Sequence, residues 1–294
     1  MKASMVIQSQ LLATKFFVPS VSHAVIDRPR LSALLAESLK HPLTIISAPA
    51  GFGKTTLLST WIQSRSAGHP LVAWLSLDEE DNDPQLFWTY VLSALSTHQP
   101  EELTPLLKSL QSPQAPPLKY LLGGLINLLA ESKQQFLLIL DDYHLITERQ
   151  IHATLSYLVE YLPTQLHIII STRADPLFPL AQLRAHRHLL EIHADQLRCT
   201  AEETKAFFKV VMGIQLPEET VQEVTAHTEG WLVGLQLLGL SLHEPTHAVT
   251  LLEEVSGDQR YILDYLTEEV LGKQPQDIQM FLLSTCILGR LTAS

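Results

Sequence analysis

Cysteine is scarce. The 294 residues contain only two, Cys199 and Cys286. Two thiols cannot build a disulfide framework, and their spacing is not that of a metal motif. A reducing cytosol is the simplest home, so a cytoplasmic location is expected. No apolar run approaches the ~18–20 residues of a membrane span, and Gln8, Ser9 and Gln10 interrupt any signal-peptide core. No membrane partner is therefore expected. Basic residues are also in deficit: 20 Lys and Arg against 31 Asp and Glu give a net charge of −11. Tight binding to a phosphate backbone needs clustered cations, so this chain by itself makes a poor nucleic-acid surface. Internal repeats and low-complexity tracts are lacking too.

What is present is a globular balance, with 46% apolar and 17% charged residues. The first half alternates two kinds of segment. Short apolar runs at Leu43–Ser47, 71–77, 136–140, 166–170 and 189–192 are bounded by turn residues. Such runs suit strands buried on both faces of a parallel sheet. Between them, residues 30–40, 55–63, 84–95, 118–130 and 150–161 carry apolar residues at helical spacing. Alternation of this kind implies an α/β domain with right-handed crossovers. After Asp195 only helical patterns remain. Thr200 and Glu203 have capping-box spacing, Pro217 opens a further helix, and Gly230 ends it. Helices are then expected over 231–242, 261–271 and 278–288. The chain stops on an apolar stretch from Phe281 without a polar tail, which reads as the start of a further element and the chain as a fragment.

The strongest motif is Ala48-Pro49-Ala50-Gly51-Phe52-Gly53-Lys54-Thr55, between a strand and a helix. It matches the phosphate-loop pattern G-x-x-x-x-G-K-[ST] except that Ala48 stands at the first glycine. Small residues let backbone N–H groups curl around an anion, and the helix N-terminus adds positive partial charge there. Lys54 would reach the β- and γ-phosphates and the Thr55 hydroxyl would ligate Mg²⁺. The run 136–140 ends in Asp141-Asp142, which puts carboxylates at the C-terminal edge of a buried strand. Asp141 is the candidate Mg²⁺ partner, and Asp142 the group that orients or activates a water; the alternative is a turn or cap aspartate. A third strand runs into Ser171-Thr172-Arg173, whose guanidinium could sense a γ-phosphate or cap a loop. Tyr143 and His144 either contact a nucleotide or fill the turn. The acidic run Asp78-Glu79-Glu80-Asp81-Asn82-Asp83 lacks an EF-hand glycine and distal glutamate, so it is expected to be a solvated loop with Asp83 capping the helix from Pro84.

Together these residues resemble the nucleotide-binding module of STAND ATPases, and more closely the MalT-like branch of large LuxR-family transcriptional regulators. The resemblance is carried by Ala48 to Thr56, by Trp74-Leu-Ser-Leu-Asp-Glu-Glu-Asp-Asn-Asp-Pro84 and by Leu138-Ile-Leu-Asp-Asp-Tyr-His-Leu-Ile146. Ser171-Thr-Arg-Ala-Asp-Pro176, Gly230-Trp-Leu-Val-Gly-Leu-Gln-Leu237, Leu12-Ala-Thr-Lys-Phe-Phe-Val-Pro19 and Val25-Ile-Asp-Arg-Pro-Arg-Leu31 add to it. It implies an ASCE-type P-loop sheet with the Arg173 strand between the P-loop strand and the Asp141 strand. It further implies an N-terminal arm (1–25), a nucleotide-binding domain (26–196), a helical lid (197–255) and the start of a winged helix (256–294). The implied ligands are ATP or ADP with Mg²⁺, held by Ala50, Gly51, Phe52, Gly53, Lys54, Thr55 and Thr56, with Arg28 and Trp231 near the base. Catalysis would fall to Asp142, Lys54 and Arg173. In relatives a Gly-x-Pro segment lies over the adenine; here Leu232 replaces the proline. The implied function is a slowly hydrolysing switch that self-associates with ATP, in a regulator whose DNA-binding helix-turn-helix lies outside this chain. The alternatives are a P-loop kinase and a motor-type ATPase.

Overall fold

In a computed structural model of the chain, the described residues are 11–21, 24–65, 70–241, 267, 271–272 and 276–285. The chain divides into two compact units. One comprises Met1–His23 with Asp27–Leu197, the other Ala24–Ile26 with Arg198–Ser294.

The first unit is built on a five-stranded parallel sheet of β1 (Leu43–Ser47), β2 (Leu71–Ser76), β3 (Phe136–Asp141), β4 (Leu166–Thr172) and β5 (Leu189–His193), in the order β2-β3-β4-β1-β5. The strand leading to Arg173 thus lies between the P-loop strand and the Asp141 strand. Every residue of β3 and β4 is buried. Phe136, Leu138, Leu140, Leu166, Ile168 and Ile170 belong to one core cluster. Leu137, Ile139 and Ile169 are equally buried but point to the opposite face, as strand alternation requires. Both faces are therefore covered, which is why the strands read as unbroken apolar runs.

Helices α1 (Pro29–Glu37), α2 (Lys54–Gln63), α3 (Pro84–Ser96), α4 (Pro100–Leu110), α5 (Leu118–Glu131), α6 (Arg149–Glu160), α7 (Leu180–Ala185) and α8 (Ala194–Leu197) complete the unit. The sequence pattern passes over α4, because Pro105 inside it removes a backbone donor and breaks the helical signal. Asp83 does cap α3, accepting the Leu86 N–H at 2.7 Å.

The acidic run departs from the solvated loop that its composition implies. Asp81 is completely buried. The Lys15 ammonium donates to both of its oxygens at 2.8 Å, lies 2.7 Å from Asp78 Oδ2, and stands 4.7 Å from the centroid of the Tyr90 ring. The arm is held further by the Leu12 N–H on Tyr90 Oη at 3.2 Å and by Phe16 against the same ring. A cation supplied from 66 residues earlier is what admits a carboxylate to the interior.

In the second unit, α9 (Ala201–Val210) starts on the Thr200–Glu203 capping box, α10 (Glu218–Thr228) follows Pro217, and α11 is Leu232–Ser241. The core gathers Ile26, Cys199, Phe207, Phe208, Leu216, Val221, Val224 and Leu235. Gly230 follows α10 with φ 68°; a Cβ there would stand 2.4 Å from the Cys199 carbonyl oxygen, whose own N–H donates to Gly230 O at 2.8 Å. Only glycine fits this close backbone pair. Among the described residues a further helix, α12, spans Gln276–Thr285. The helix expected over 261–271, apart from residues 267 and 271, and most of the expected winged helix lie outside the described residues.

Lys15→Met should destabilise the first unit by about 3–5 kcal/mol, because it leaves Asp81 buried and unpaired. Urea unfolding checks this, and a midpoint equal to that of the parent protein would show that Asp81 is not held as the structure has it.

Candidate functional site

β1 ends at Ser47, and the chain curls through Ala48, Pro49, Ala50, Gly51, Phe52 and Gly53 before α2 starts at Lys54. Gly51 (φ 81°) and Gly53 (φ 73°) occupy the left-handed region, which a β-carbon resists. Ala48 does not share that conformation. It is buried, and its N–H donates to Thr172 O at 3.2 Å, so it extends the β1–β4 ladder. Alanine at the first position of the pattern therefore costs the loop nothing. Phe52 is buried, and Thr56 follows in the first turn of α2.

Lys54 folds back across this loop, donating to Ala48 O at 2.6 Å and Pro49 O at 3.0 Å. Burial lowers its ammonium to about 8. The Arg173 charge acts in the same sense, and Asp142 and Asp141 oppose it. Next to it, the Thr55 hydroxyl donates to Asp141 Oδ2 at 2.8 Å. Asp141 ends β3 almost wholly buried. Burial chiefly, and then the neighbouring Asp142 charge, raise its carboxyl above the ordinary range; the Ser171 and Thr55 hydroxyls counter this. No well-aligned hydrogen bond reaches the buried Oδ1. Asp142 itself is left-handed (φ 57°, ψ 36°) and half-exposed, with His144 Nδ1 3.8 Å from its Oδ1. A short polar residue tolerates that backbone where most others would not.

The structure thus brings Lys54, Thr55, Asp141, Asp142 and Arg173 together at the C-terminal ends of β1, β3 and β4. Ser171, beside Asp141, is an addition that its position in an apolar strand did not single out. Arg28 is buried, and its Nη2 donates to Leu197 O at 2.8 Å, at the end of α8. Trp231 belongs to the second unit, where its carbonyl accepts the Leu235 N–H at 2.9 Å. Tyr143 fills the turn: it is buried, its Oη is 2.8 Å from His152 Nδ1, and burial pushes its phenol upward.

A parallel sheet in this order, with a Gly-Lys-Thr loop after β1 and a buried aspartate ending β3, defines a P-loop NTPase module of the ASCE type. The chain is 30% identical over 279 residues to the HTH-type transcriptional regulator MalT of Vibrio campbellii, covering 94% of this chain and 30% of that protein. It is 33% identical over 280 residues to the MalT of Cronobacter sakazakii, covering 95% and 31% respectively. It is also 30% identical over 278 residues to the serine/threonine-protein kinase PknK of Mycobacterium tuberculosis, with 95% of this chain and 25% of that protein covered. The chain spans about 30% of the length of the MalT relatives it matches. A STAND protein with a tetratricopeptide repeat sensor from Pyrococcus horikoshii shares the fold, with TM-score 0.55 and 14% identity over 92% of this chain and 36% of that one. No family model matches the chain. Over 94–95% of its length, then, the chain is similar to one part of the MalT regulators and of PknK, and its fold is that of a P-loop NTPase.

Lys54 sets a pH dependence. An ammonium near 8, against an ordinary 10.5, is charged below that value and neutral above it. An anionic phosphate favours the charged form, so binding above pH 8 must take up a proton. Affinity for a phosphate-bearing ligand should fall toward tenfold per unit above pH 8. Calorimetry in buffers of different ionisation enthalpy should show net proton uptake at pH 9; zero uptake would mean that Lys54 does not meet the phosphate.

Proposed function

We propose that the module binds ATP and ADP with Mg²⁺, hydrolyses ATP slowly, and works as a switch whose two nucleotide states differ in their partners. The observation that carries this is the meeting of Lys54, the Thr55–Asp141 pair, Asp142 and Arg173 around a loop held open by two left-handed glycines.

The donor set fits Mg²⁺: a hydroxyl and a carboxylate 2.8 Å apart are hard oxygen ligands, and Asp141 Oδ1 has spare capacity. Thr55 and Asp141 would hold the ion, which would offset charge on the phosphates. The loop N–H groups and those at the α2 N-terminus donate to the phosphate oxygens. Lys54 exchanges its bonds to Ala48 and Pro49 for bonds to phosphate oxygens. Asp142 orients a water whose oxygen bonds to the γ-phosphorus as the bridging P–O bond breaks. The water's proton passes to the Asp142 carboxylate, and ADP and phosphate are released. Arg173, entering from β4, distinguishes the triphosphate from the diphosphate.

A switch needs differential affinity rather than fast turnover. Moving a two-state population from 1:99 to 99:1 takes roughly a 10⁴-fold preference. Within a longer regulator, the ATP state is proposed to self-associate. Any contact with DNA would run through a helix-turn-helix outside this chain, consistent with its net charge of −11. The MalT relatives give the transcriptional reading its support, whereas the PknK relative is named a kinase.

Lys54→Ala should abolish Mg-ATP binding in equilibrium dialysis, and unchanged affinity would sink the site assignment. Asp142→Asn should bind ATP within a few-fold of the parent protein and slow hydrolysis by about 10²-fold, read as released phosphate. Turnover raised severalfold by a small acceptor molecule would favour a phosphotransfer enzyme instead.

A further inference from the structure

Asp141 and Asp142 sit on a short stretch of backbone that one loop braces at both ends. At the near end, the Leu77 N–H donates to Asp141 O at 3.0 Å. At the far end, Asn82 Nδ2 donates to Leu145 O at 2.8 Å, three residues after Asp142, and the Leu145 N–H closes back on Asp142 O at 3.1 Å. Asn82 does more. Its Nδ2 also donates to Glu79 O at 3.0 Å, while its Oδ1 accepts the N–H groups of Thr147 at 2.7 Å and Glu148 at 3.0 Å. Two donors and two acceptors are all that an asparagine amide has, and all four are used on backbone.

Neither a carboxylate nor a shorter side chain can copy this. Aspartate would keep the two accepted bonds but set an oxygen against the Leu145 and Glu79 carbonyls. The loop that carries Asn82 is itself fixed. Its 3-10 turn Glu79–Asn82 is capped by Asp78 and Asp81, and both of those carboxylates are held by Lys15. The Tyr143–His152 contact secures the middle of the Asp142 turn. The Asp142 carboxylate is half-exposed on a left-handed residue, so where its side chain starts from depends on the backbone of this turn.

We propose that Asn82 is a positioning residue for Asp142: it fixes the turn that aims the Asp142 carboxylate at the attacking water. This rests on the reading of Asp142 as the water-orienting group. The consequence is that the segment Asp78-Glu-Glu-Asp-Asn82, with no group on the phosphates itself, sets the hydrolysis rate and leaves nucleotide affinity alone.

The test is a mutant cycle in the full chain with Asn82→Ala, Asn82→Asp and Asp142→Asn. Turnover is measured per bound nucleotide, together with the Kd for Mg-ATP. Both Asn82 variants should lose roughly ten- to a hundredfold in turnover with Kd within about twofold, the isosteric aspartate as badly as alanine. Combined with Asp142→Asn, they should cause no further loss, because Asn82 acts only through that carboxylate. A merely structural role would lower the folded fraction and leave turnover per bound nucleotide unchanged, which overturns the proposal. So does a loss of equal factor in the presence and absence of Asp142. If Asp142→Asn alone keeps parental turnover, the reading of Asp142 fails and takes the proposal with it. Should Asn82→Ala not fold, Asn82→Ser, with a single donor on a shorter arm, is measured in its place.

Discussion

Burying both faces of β1, β3 and β4 is the constraint on which the rest of the structure depends. A strand covered on both sides has room for side-chain polarity only where it ends. Because the three strands are parallel neighbours, their C-terminal ends fall on the same edge of the sheet. Lys54, Asp141 and Arg173 meet there although 87 and 32 residues of chain separate consecutive members of the set. Apolar runs that make the sheet therefore also decide where its chemistry can be.

The groups on that edge are in tension with one another. Lys54 is held below its ordinary range, mainly by burial, and Asp141 above its own for the same reason. Each charge is too buried to be comfortable, and the partners at hand, two carbonyls for Lys54 and hydroxyls for Asp141, compensate only in part. An anion beside Lys54 and a cation beside Asp141 relieve both at once. A phosphate–metal pair supplies that combination, and neither ion alone does.

Much of this was legible in the sequence, and the parts that were not share a physical reason. β1, β3 and β4 announced themselves because burial on both faces imposes composition on nearly every residue of a strand, whereas β5 is mostly half-buried and shows a weaker pattern. The glycine loop and Asp141-Asp142 were legible because their chemistry is local to a few consecutive residues. Even the α9 capping box follows from two residues three apart. What could not be read was pairing across long separations. Nothing near Asp81 indicates that Lys15 will bury it, and nothing near Asn82 indicates four backbone partners, some more than 60 residues away. A run of acids looks solvated until its distant cation is known. Ile26, likewise, packs among Phe207, Phe208 and Leu235, far along the chain. Arg28, which the resemblance places near the base, also bonds across a long separation, to the Leu197 carbonyl.

That long-range set bears on how one module can serve proteins as differently named as MalT and PknK. A phosphate-facing edge dictated by short motifs is costly to vary, since each group answers to burial and to its neighbours. The braces behind it have more freedom. Of Lys15, Asp81 and Asn82, only Asn82 bonds to the backbone after Asp142; under the role proposed for it, a change among the three would alter how firmly that turn is aimed and leave the glycine loop alone. If the module is the switch proposed above, its signal is the lifetime of the triphosphate state, and on that proposal the arm and the acidic loop are where this lifetime would be tuned separately from affinity.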